Sequence, residues 1–459
     1  MALRDRLQRL TGEPVPEQKK EERDRNDTLS HLRNQVDAVI RRRQKSREHK
    51  GPSSDKIRHL LVEILAGEER ENDHGSYFCV EEVWKPSYQH GNQCVTDFLG
   101  ADMKALSILS GHNEMQNMTL ADGLYLDTET TGLAGGTGTV AFLIGLGWFT
   151  GSSFVTHQLF MRDYAEERAC LACLSDIGRE KRFLITFNGK SFDMNLLGTR
   201  FIMNRLPNPF VDLPHLDLLH PTRRLLSHRL ENNRLVTVEE GILGFAREGD
   251  IPGWEIPERY FRWLRSRRPH LMADVLHHNR LDIISMAALA RHLSDIFTEK
   301  ENHFSEGKRE SFAAARLLID RRHVTEGRDL LRSLSCSTCS EISREARCHL
   351  SLMLKREGDW RQAGEIWETM LRDNPSDCFA CEELAKWYEH RLKDVNKALN
   401  LVKTTLEALD ENLFEEKQRL RHRLLRLEKR CLHGTGKHHD DVDMGSLVEK
   451  EVKKPENSG

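Results

Sequence analysis

The feature that most constrains this chain is a set of three apolar segments, at residues 123–126, 139–149 and 154–160, separated by glycine-rich turns. Segments of this length between turn residues are typical of successive β-strands. Strand and helix patterns then alternate, with helical spacing at 164–177, a strand at 183–187, a helix at 193–204, a strand at 216–219 and helical segments from 236 to 292. Strands followed by such alternation predict an α/β domain with a mixed sheet flanked by helices.

From about residue 305 onward the pattern is helical and repeats itself. Residues 358–363 match residues 393–398, about 35 positions later, and the same shift pairs Trp367 with Val402. Paired helices at this period, with an alanine at each helix crossing, resemble tetratricopeptide repeats. The resemblance implies an all-α repeat domain at residues 305–433.

The two ends of the chain are predicted to differ from its body. Residues 1–55 form a charged arm, disordered or partly helical, which is either a solvated tail or a tether for nucleic acid. Residues 434–459 are polar and charged, and we expect them to be disordered. We therefore predict the α/β domain at residues 56–304, with its core at residues 120–295.

Composition limits the partners and the compartment of the chain. The 38% hydrophobic and 31% charged residues are typical of a globular protein, and a net charge of -3 gives no overall attraction for nucleic acid. A polyanionic partner must therefore be held by a local patch or by metal ions. No apolar run approaches the length of a membrane span, and residues 1–25 lack the hydrophobic core of a signal peptide. We expect a cytoplasmic protein with reduced cysteines and no membrane contact.

The first candidate site is the end of the first apolar segment, where Asp127, Thr128 and Glu129 follow in sequence. Side chains alternate along a strand, so Asp127 and Glu129 project from one face and can share a cation. Because surface strands often carry this pattern, it has little weight without other sites.

The second candidate site lies where the next strand ends and a helix begins. Asp193 there is either a helix N-cap or a further carboxylate of the same site. Nearby, Asn188 offers neutral hydrogen bonds to a phosphate or sugar, Lys190 can neutralise backbone charge, and Phe192 can wedge against a base. We assign these three residues and Thr130 to substrate binding.

The third candidate site is a helical stretch that contains His277, His278 and Asp282. Residues four apart lie on one face of a helix, so His278 and Asp282 can point into one pocket. His277 can do so only where the start of the helix is irregular. Taken alone, a histidine pair on a helix is more often a surface or capping feature.

In combination, the order Asp-x-Glu, Asp and His-x-x-x-Asp in a mixed α/β domain resembles the DEDD superfamily of 3′→5′ exonucleases, which have an RNase H-like fold. The segments LDTETTGLAGGTGTVAFLIGLG, FNGKSFD, HLDLLHP, IPGWEIPERYF and HHNRLDI are similar to the bacterial YprB-like branch of RNase H-like domains, which is often joined to tetratricopeptide repeats. Each motif is weak alone, but their order is demanding. The resemblance covers residues 67–293 and, less sharply, the repeats.

The resemblance implies two divalent cations, Mg²⁺ or Mn²⁺, held by the carboxylates of Asp127, Glu129, Asp193 and Asp282. Oxygen ligands suit such hard cations. It also implies a general base shortly before the last aspartate, where similar exonucleases have a histidine or a tyrosine. The base is then His278 or His277, and helical geometry favours His278.

Three further patterns carry less specific information. In the basic and aromatic stretch 257–268, Arg259 and Arg262 are candidate contacts to a nucleic-acid backbone. The alternative is an amphipathic helix that buries its aromatic residues and exposes its arginines. Asp217 is assigned a structural or substrate-contact role. Three Cys-x-x-Cys pairs, at 170/173, 336/339 and 378/381, are interpreted as buried cysteines rather than as a zinc site.

Together these patterns predict a metal-dependent 3′→5′ exonuclease that acts on a single-stranded 3′ end of nucleic acid, with repeats that recruit a protein partner. Two alternatives stay open. One is an adaptor that binds nucleic acid without cutting it, and the other is a structure-selective endonuclease with the same metal chemistry. The intact carboxylates argue against the adaptor. The sequence does not distinguish DNA from RNA.

Overall fold

The structure is a computed structural model that describes residues 54–132, 138–298, 308–337, 339–410 and 412–434. The chain divides into two compact units between Asp295 and Ile296. Nearly all of the arm predicted at 1–55 and of the tail predicted at 434–459 lies outside the described residues. The sequence places the domain boundary at 304/305, close to this division, and the exact boundaries stay predictions.

The first unit is built around a mixed sheet of seven strands, with a separate two-stranded ribbon. In chain order the strands are β1 (Glu68–Asn72), β2 (Gly75–Trp84), β3 (Gln89–His90), β4 (Gln93–Cys94), β5 (Gly123–Thr130), β6 (Ala141–Thr150), β7 (Ser153–Phe160), β8 (Phe183–Thr186) and β9 (His215–Asp217). The sheet order is β1-β2-β7-β6-β5-β8-β9, and β3 pairs with β4 in the ribbon. The three apolar segments of the sequence thus form an antiparallel meander.

Strand β5 is where the sheet changes from antiparallel to parallel pairing. It is antiparallel to β6 along its length but parallel to β8 only from Gly123 to Tyr125. The side chains of Leu124, Tyr125 and Leu126 are buried, as expected of a strand covered on both faces. Residues 127–130 are only partly buried, because β5 extends beyond its paired region with β8.

Nine α-helices belong to the described part of this unit. They are α1 (Ser54–Leu65), α2 (Val95–Phe98), α3 (Met103–Ser110), α4 (Glu167–Arg179), α5 (Asp193–Asn204), α6 (Leu219–Leu226), α7 (Leu235–Val238), α8 (Ile256–Ser266) and α9 (His270–Thr298). Helices α2 and α3 follow each other closely but are separate. Asp102 accepts hydrogen bonds from the backbone N–H groups of Lys104 and Ala105, and so starts α3 as a new helix.

The second unit is helical. Its helices are α10 (Lys308–Asp320), α11 (Val324–Ser335), α12 (Ser340–Glu357), α13 (Trp360–Asp373), α14 (Cys378–Trp387), α15 (Val395–Ala408) and α16 (Phe414–Gly434). The sequence repeat falls on equivalent helix starts, since Asp359 caps α13 and Asp394 caps α15. Trp367 and Val402, paired by the repeat, are both fully buried. The predicted helical domain is confirmed, and its tetratricopeptide identity stays a prediction.

Within the described residues, every helix is too short or too polar to cross a membrane.

Candidate active site

The first two carboxylates of the site stand at the end of β5. The pairing of β5 with β8 ends at Tyr125, and beyond it Asp127 and Glu129 line a cavity. Their spacing of two residues places them on one face of β5. The cavity has a volume of about 540 Å³. It is lined by residues from the end of β5 and the start of α5, including Asp127, Thr128, Glu129, Thr130, Asn188, Phe192 and Asp193.

Asp193 reaches the same cavity from the first turn of α5. The helix begins after Phe192, which makes no side-chain capping hydrogen bond, and Asp193 is the first helical residue. Its carboxylate accepts a short hydrogen bond from the Thr128 hydroxyl group. The N-cap interpretation of Asp193 is therefore wrong, since its side chain contacts the neighbouring strand instead of capping the helix.

The loop between β8 and α5 is held by a buried aspartate. Asp217 accepts hydrogen bonds from the backbone N–H groups of Asn188 at 2.7 Å, Lys190 at 3.0 Å and Leu219 at 3.1 Å. Asn188 has a φ of 68°, a left-handed conformation that asparagine tolerates better than most residues. Asp217 thus fixes the turn that places Phe192 and Asp193, which is a structural role.

Helix α9 supplies the remaining predicted residues. The imidazole Nε2 of His278 lies 3.5 Å from Asp282 Oδ2, as expected for side chains four residues apart on a helix. Glu129, His278 and Asp282 present ligand atoms that all lie within 4.8 Å of one another. Asp127, Asp193 and His277 are not part of this group, and Nδ1 of His277 lies 3.5 Å from the guanidinium of Arg280. The geometry therefore separates the two histidines.

The side chain of Asn279, on helix α9, holds the carboxylate of Asp127 in place. Its amide donates to Asp127 Oδ2 at 2.8 Å, and its carbonyl oxygen accepts from the Gln158 amide at 2.8 Å. Asn279 is fully buried. It fits against β6 only because residue 145 is glycine, since a Cβ there would lie 2.2 Å from Asn279 Oδ1. Asp127 is thus fixed by its place on β5 and by the side-chain amide of Asn279 on α9, which the amide of Gln158 holds in turn.

An arginine that the sequence interpretation missed lies next to Asp282. The guanidinium of Arg247 is 3% exposed, donates a short hydrogen bond to Asp282, and bonds to Asp250 at 2.9 Å. Its other edge bonds to both oxygens of Glu239 at 2.6 Å. Asp250 also contacts His278 Nδ1, at 2.8 Å. No periodic pattern pointed to Glu239, Arg247 or Asp250, although an Arg and an Asp three residues apart just before the predicted motif IPGWEIPERYF was an available signal.

Burial and mutual repulsion dominate the electrostatics of the carboxylates. Burial, followed by repulsion from neighbouring carboxylates, raises the pKa of Asp127 and of Glu129 well above their usual values. Burial also raises the pKa of Asp193 to about 6, although the hydrogen bond from Thr128 opposes that shift. Arg247 offsets only part of this charge. A site with this excess of buried negative charge favours a cation.

The donor set fits divalent cations of the magnesium class. Carboxylate oxygens from Asp127, Glu129, Asp193 and Asp282 are hard ligands, and a neutral imidazole is also acceptable to Mn²⁺. The raised pKa of Asp127 and Glu129 reflects burial and neighbouring carboxylates, an environment that a divalent cation would stabilise. The four predicted ligands therefore suit the predicted ions by their chemistry, and their identity as ligands stays a prediction.

The predicted substrate contacts divide into two groups. Thr130, Asn188 and Phe192 line the cavity, and the Phe192 side chain is 57% exposed beside the carboxylates. Lys190 belongs to the same loop but does not line the cavity. Arg259 and Arg262 lie on α8 and are also absent from the cavity lining.

Helix α8 matches the alternative interpretation of its sequence. It buries Tyr260, Phe261 and Trp263. Arg259 is paired with Asp274 at 2.6 Å, and Arg262 is exposed. Helix α8 is thus an amphipathic packing helix, and contacts of Arg259 and Arg262 with nucleic acid stay a prediction.

The ten cysteines of the chain all lie among the residues that the structure describes. All ten are free thiols, and the acidic and histidine cluster described above, found among the residues that the structure describes, includes none of them. Of the six cysteines in the three pairs, Cys170 and Cys381 are buried, Cys173, Cys339 and Cys378 are partly buried, and Cys336 is exposed. The interpretation as buried cysteines is therefore wrong for Cys336.

The fold and the match to a family model define the class of this protein. Residues 124–294, which contain β5 to β9 and most of α9, match a model described as RNase H superfamily. The sheet order β7-β6-β5-β8-β9, with acidic residues at the end of the central strand, agrees with that class. This is an RNase H superfamily domain, which indicates a nucleic-acid hydrolase that uses divalent metal ions.

The chain as a whole resembles a particular bacterial protein. It is 32% identical over 366 residues to YprB of Bacillus subtilis (strain 168), an alignment that covers 77% of this chain and 86% of YprB. The chain therefore belongs to the YprB family, as its motifs predicted. The name of YprB states no activity, so the more specific reaction has to be argued from the site.

Proposed function

We propose that this protein is a 3′→5′ exonuclease that hydrolyses phosphodiester bonds with two divalent cations, Mg²⁺ or Mn²⁺. The observation that carries the proposal is the convergence of strand β5, the start of α5 and the middle of α9 on one acidic cluster. Ligand atoms of Glu129, His278 and Asp282, which we call the acidic cluster, lie within 4.8 Å of one another, and Asp127 and Asp193 line the same cavity as Glu129. A structural role alone does not account for so much uncompensated charge.

The chain assigns distinct tasks to its own residues in this reaction. Asp127, Glu129, Asp193 and Asp282 are the proposed ligands. Bound Mg²⁺ or Mn²⁺ supplies positive charge that offsets the charge developing on the phosphate in the transition state. Asn279 and Thr128 keep two of the ligands in place through hydrogen bonds to Asp127 and Asp193.

His278 is the proposed general base. Its Nε2 faces the acidic cluster and accepts a proton from water as the water oxygen bonds to phosphorus. The bond between phosphorus and the 3′-oxygen of the preceding nucleotide breaks, and that oxygen takes a proton from solvent. His277 is the less suitable base, since it lies outside the cluster beside Arg280.

The cavity suits the end of a single strand. Its volume of about 540 Å³ is in the range of sites for small molecules, and therefore matches one terminal nucleotide more closely than a duplex. The exposed ring of Phe192 provides a stacking surface for the terminal base. Thr130 and Asn188, also in the cavity lining, offer hydrogen bonds to the phosphate or sugar.

Digestion of labelled substrates tests the proposed activity. The panel consists of 3′-labelled and 5′-labelled DNA and RNA, single and double stranded, with Mn²⁺ or with a chelator. We expect Mn²⁺-dependent shortening of single strands from the 3′ end. Asp127→Ala and Asp282→Asn should each lower the rate by at least about 10³-fold, which is about 4 kcal/mol of transition-state stabilisation.

The controls separate this proposal from its alternatives. Asp176 is an exposed carboxylate on α4 that pairs with Arg179, and Asp176→Asn should digest like the wild type. Continued cutting of a 3′-blocked strand would indicate an endonuclease. Binding of nucleic acid without cutting, under every metal condition, would indicate an adaptor.

Substitution of each histidine tests the choice of base. His278→Gln should lower turnover at saturating Mn²⁺ by about 10²-fold or more, because proton transfer is lost while the carboxylates remain. His277→Gln should have a much smaller effect. The reverse order would exclude His278 as the base.

We also propose a cytoplasmic location and a protein partner for the helical unit. The ten free thiols fit a reducing compartment. In the helical unit, a cavity of about 420 Å³ is lined by Glu341, Arg344, Arg347 and Asp373 among others, a charged surface that suits a polar peptide. A partner that the wild type captures and an Arg347→Ala variant does not would support the proposed protein partner of the helical unit.

A further inference from the structure

The histidine proposed as the base has its other ring nitrogen fixed by a carboxylate outside the acidic cluster. His278 Nδ1 lies 2.9 Å from Asp250 Oδ1 and 2.8 Å from Asp250 Oδ2. Both side chains are largely buried, at 13% and 12% exposure. A carboxylate only accepts hydrogen bonds, and the 2.8 Å contact with Asp250 is shorter than the 3.4 Å between Nδ1 and Arg247 and the 3.5 Å between Nε2 and Asp282. The geometry therefore favours the neutral imidazole with its proton on Nδ1. Nε2 is then left with its lone pair towards the acidic cluster.

Asp250 is itself held in place by a buried arginine. Arg247 donates to Asp250 Oδ2 at 2.9 Å, and the remaining edge of its guanidinium is bound by Glu239. Burial alone would raise the pKa of Asp250, but His278 and Arg247 together keep it below its usual value, so the group is ionised. Glu239 is fully buried and lies in a π-turn after α7. The segment 247–250 thus has one arginine and one aspartate that point at α9.

We propose that Asp250 is a positioning residue that selects the tautomer and the ring orientation of His278, with Arg247 fixing Asp250 in turn. The inference rests on the proposed function, because it assigns His278 the role of base. Asp250 contacts His278 and Arg247, and it is not part of the group of candidate ligand atoms. Its loss should therefore change proton transfer and leave the binding of cations largely intact.

The test compares Asp250→Asn with the wild type and with the surface control Asp176→Asn, all in the full chain. At saturating Mn²⁺, Asp250→Asn should lower turnover on a 3′-labelled single strand by about 10- to 100-fold. The Mn²⁺ concentration that gives half-maximal rate should stay unchanged. Asparagine lacks the negative charge and keeps only one acceptor oxygen, so it holds the Nδ1 proton of His278 more weakly than the carboxylate does.

A second readout does not depend on nuclease activity. In metal-free protein, the Nδ1 proton of His278 should give a downfield imidazole resonance in the proton NMR spectrum, assigned by its loss in His278→Gln. Asp250→Asn should remove or shift this resonance, and Asp176→Asn should retain it. If Asp250→Asn does not fold, Asp250→Glu keeps the charge and should retain more activity than Asp250→Ala.

The outcomes distinguish the inference from the function on which it rests. Turnover of Asp250→Asn at the wild-type level would overturn the inference, whatever the response of the variant to Mn²⁺. If the wild type itself cuts none of the substrates, the proposed function fails. The NMR resonance still decides the inference in that case, and an unshifted His278 resonance in Asp250→Asn would overturn it.

Discussion

At the scale of single residues, each of three carboxylates of the site has its own hydrogen-bond donor. Asn279 binds Asp127, Thr128 binds Asp193, and Arg247 binds Asp282. Two of these three donors are neutral, so they orient a carboxylate without cancelling its charge. The site is therefore ordered for ligation and remains strongly negative. The cost of that arrangement should appear as a dependence of stability on pH.

The metal-free protein should lose stability as the pH rises through the acidic range. The pKa of Asp193 is raised by burial from 3.8 to about 6, so the folded protein binds this proton more tightly than the unfolded chain does. The free energy of unfolding then falls between about pH 4 and pH 6, and one such group contributes about 3 kcal/mol. Asp193→Asn removes this contribution, so the metal-free variant should exceed the wild type in stability at pH 7.

Urea unfolding in the presence of a chelator, at several pH values between 4 and 7, measures this effect. The advantage of Asp193→Asn over the wild type should shrink as the pH falls towards 4, because Asp193 is then protonated in the folded state and increasingly so in the unfolded chain. The surface variant Asp176→Asn should show no such trend. A constant difference across the pH range would mean that the Asp193 carboxylate is not destabilised by burial.

At the scale of elements, the contact between strand β6 and helix α9 determines where Asp127 is held. Gly145 on β6 leaves the space into which the Asn279 side chain fits, and Gly147 does the same for Ile283. Glycine weakens a strand interior, and it often occurs there at a point where another part of the protein approaches the backbone closely. The two glycines of the GLG segment thus allow α9 to approach the sheet.

Gly145→Ala should impair the site without touching any carboxylate. The new methyl group would lie 2.2 Å from Asn279 Oδ1, so Asn279 must move away from Asp127. We expect a loss of about 1–3 kcal/mol in stability from overpacking, measured by urea unfolding, and a lower rate of Mn²⁺-dependent digestion. Gly253→Ala is the matched control, because no atom lies within 4 Å of its added Cβ. Unchanged digestion by Gly145→Ala would show that Asn279 does not position Asp127.

The elements also show which parts of the site local sequence patterns can predict. The helix expected at 193–204 is α5, and the pair His278 and Asp282 follows from the period of one helix. Such patterns are local, and they are read directly from spacing. Asp250 lies 28 residues before His278 in a loop, so their contact depends on how that loop folds back onto α9. The N-cap alternative for Asp193 is wrong for a related reason, since Thr128, the partner of its side chain, lies 65 residues away.

At the scale of the whole molecule, the chain contains two units with separate hydrophobic cores. The first core includes Phe78, Leu126 and Phe160 from the sheet, and the second includes Trp367, Leu384 and Val402 from the helices. The acidic cluster belongs entirely to the first unit. A ligand that binds only one folded unit stabilises that unit by mass action. Mn²⁺ is therefore expected to act on the two units differently.

Thermal unfolding of the full chain should show a transition that responds to Mn²⁺ and one that does not. A metal concentration of about 100 times the dissociation constant adds about 2.7 kcal/mol, which raises the melting temperature of a unit this size by about 5–10 °C.

A truncated chain of residues 1–304 should retain the responsive transition. Its digestion of naked single strands should stay within about fivefold of the full chain, a difference of about 1 kcal/mol. Asp282→Asn should abolish the Mn²⁺ response in both proteins, since it removes a proposed ligand. If Mn²⁺ instead raised the other transition, or if the truncated chain folded but neither bound Mn²⁺ nor digested nucleic acid, the metal site would depend on the helical unit, and the division of tasks between the units would be wrong.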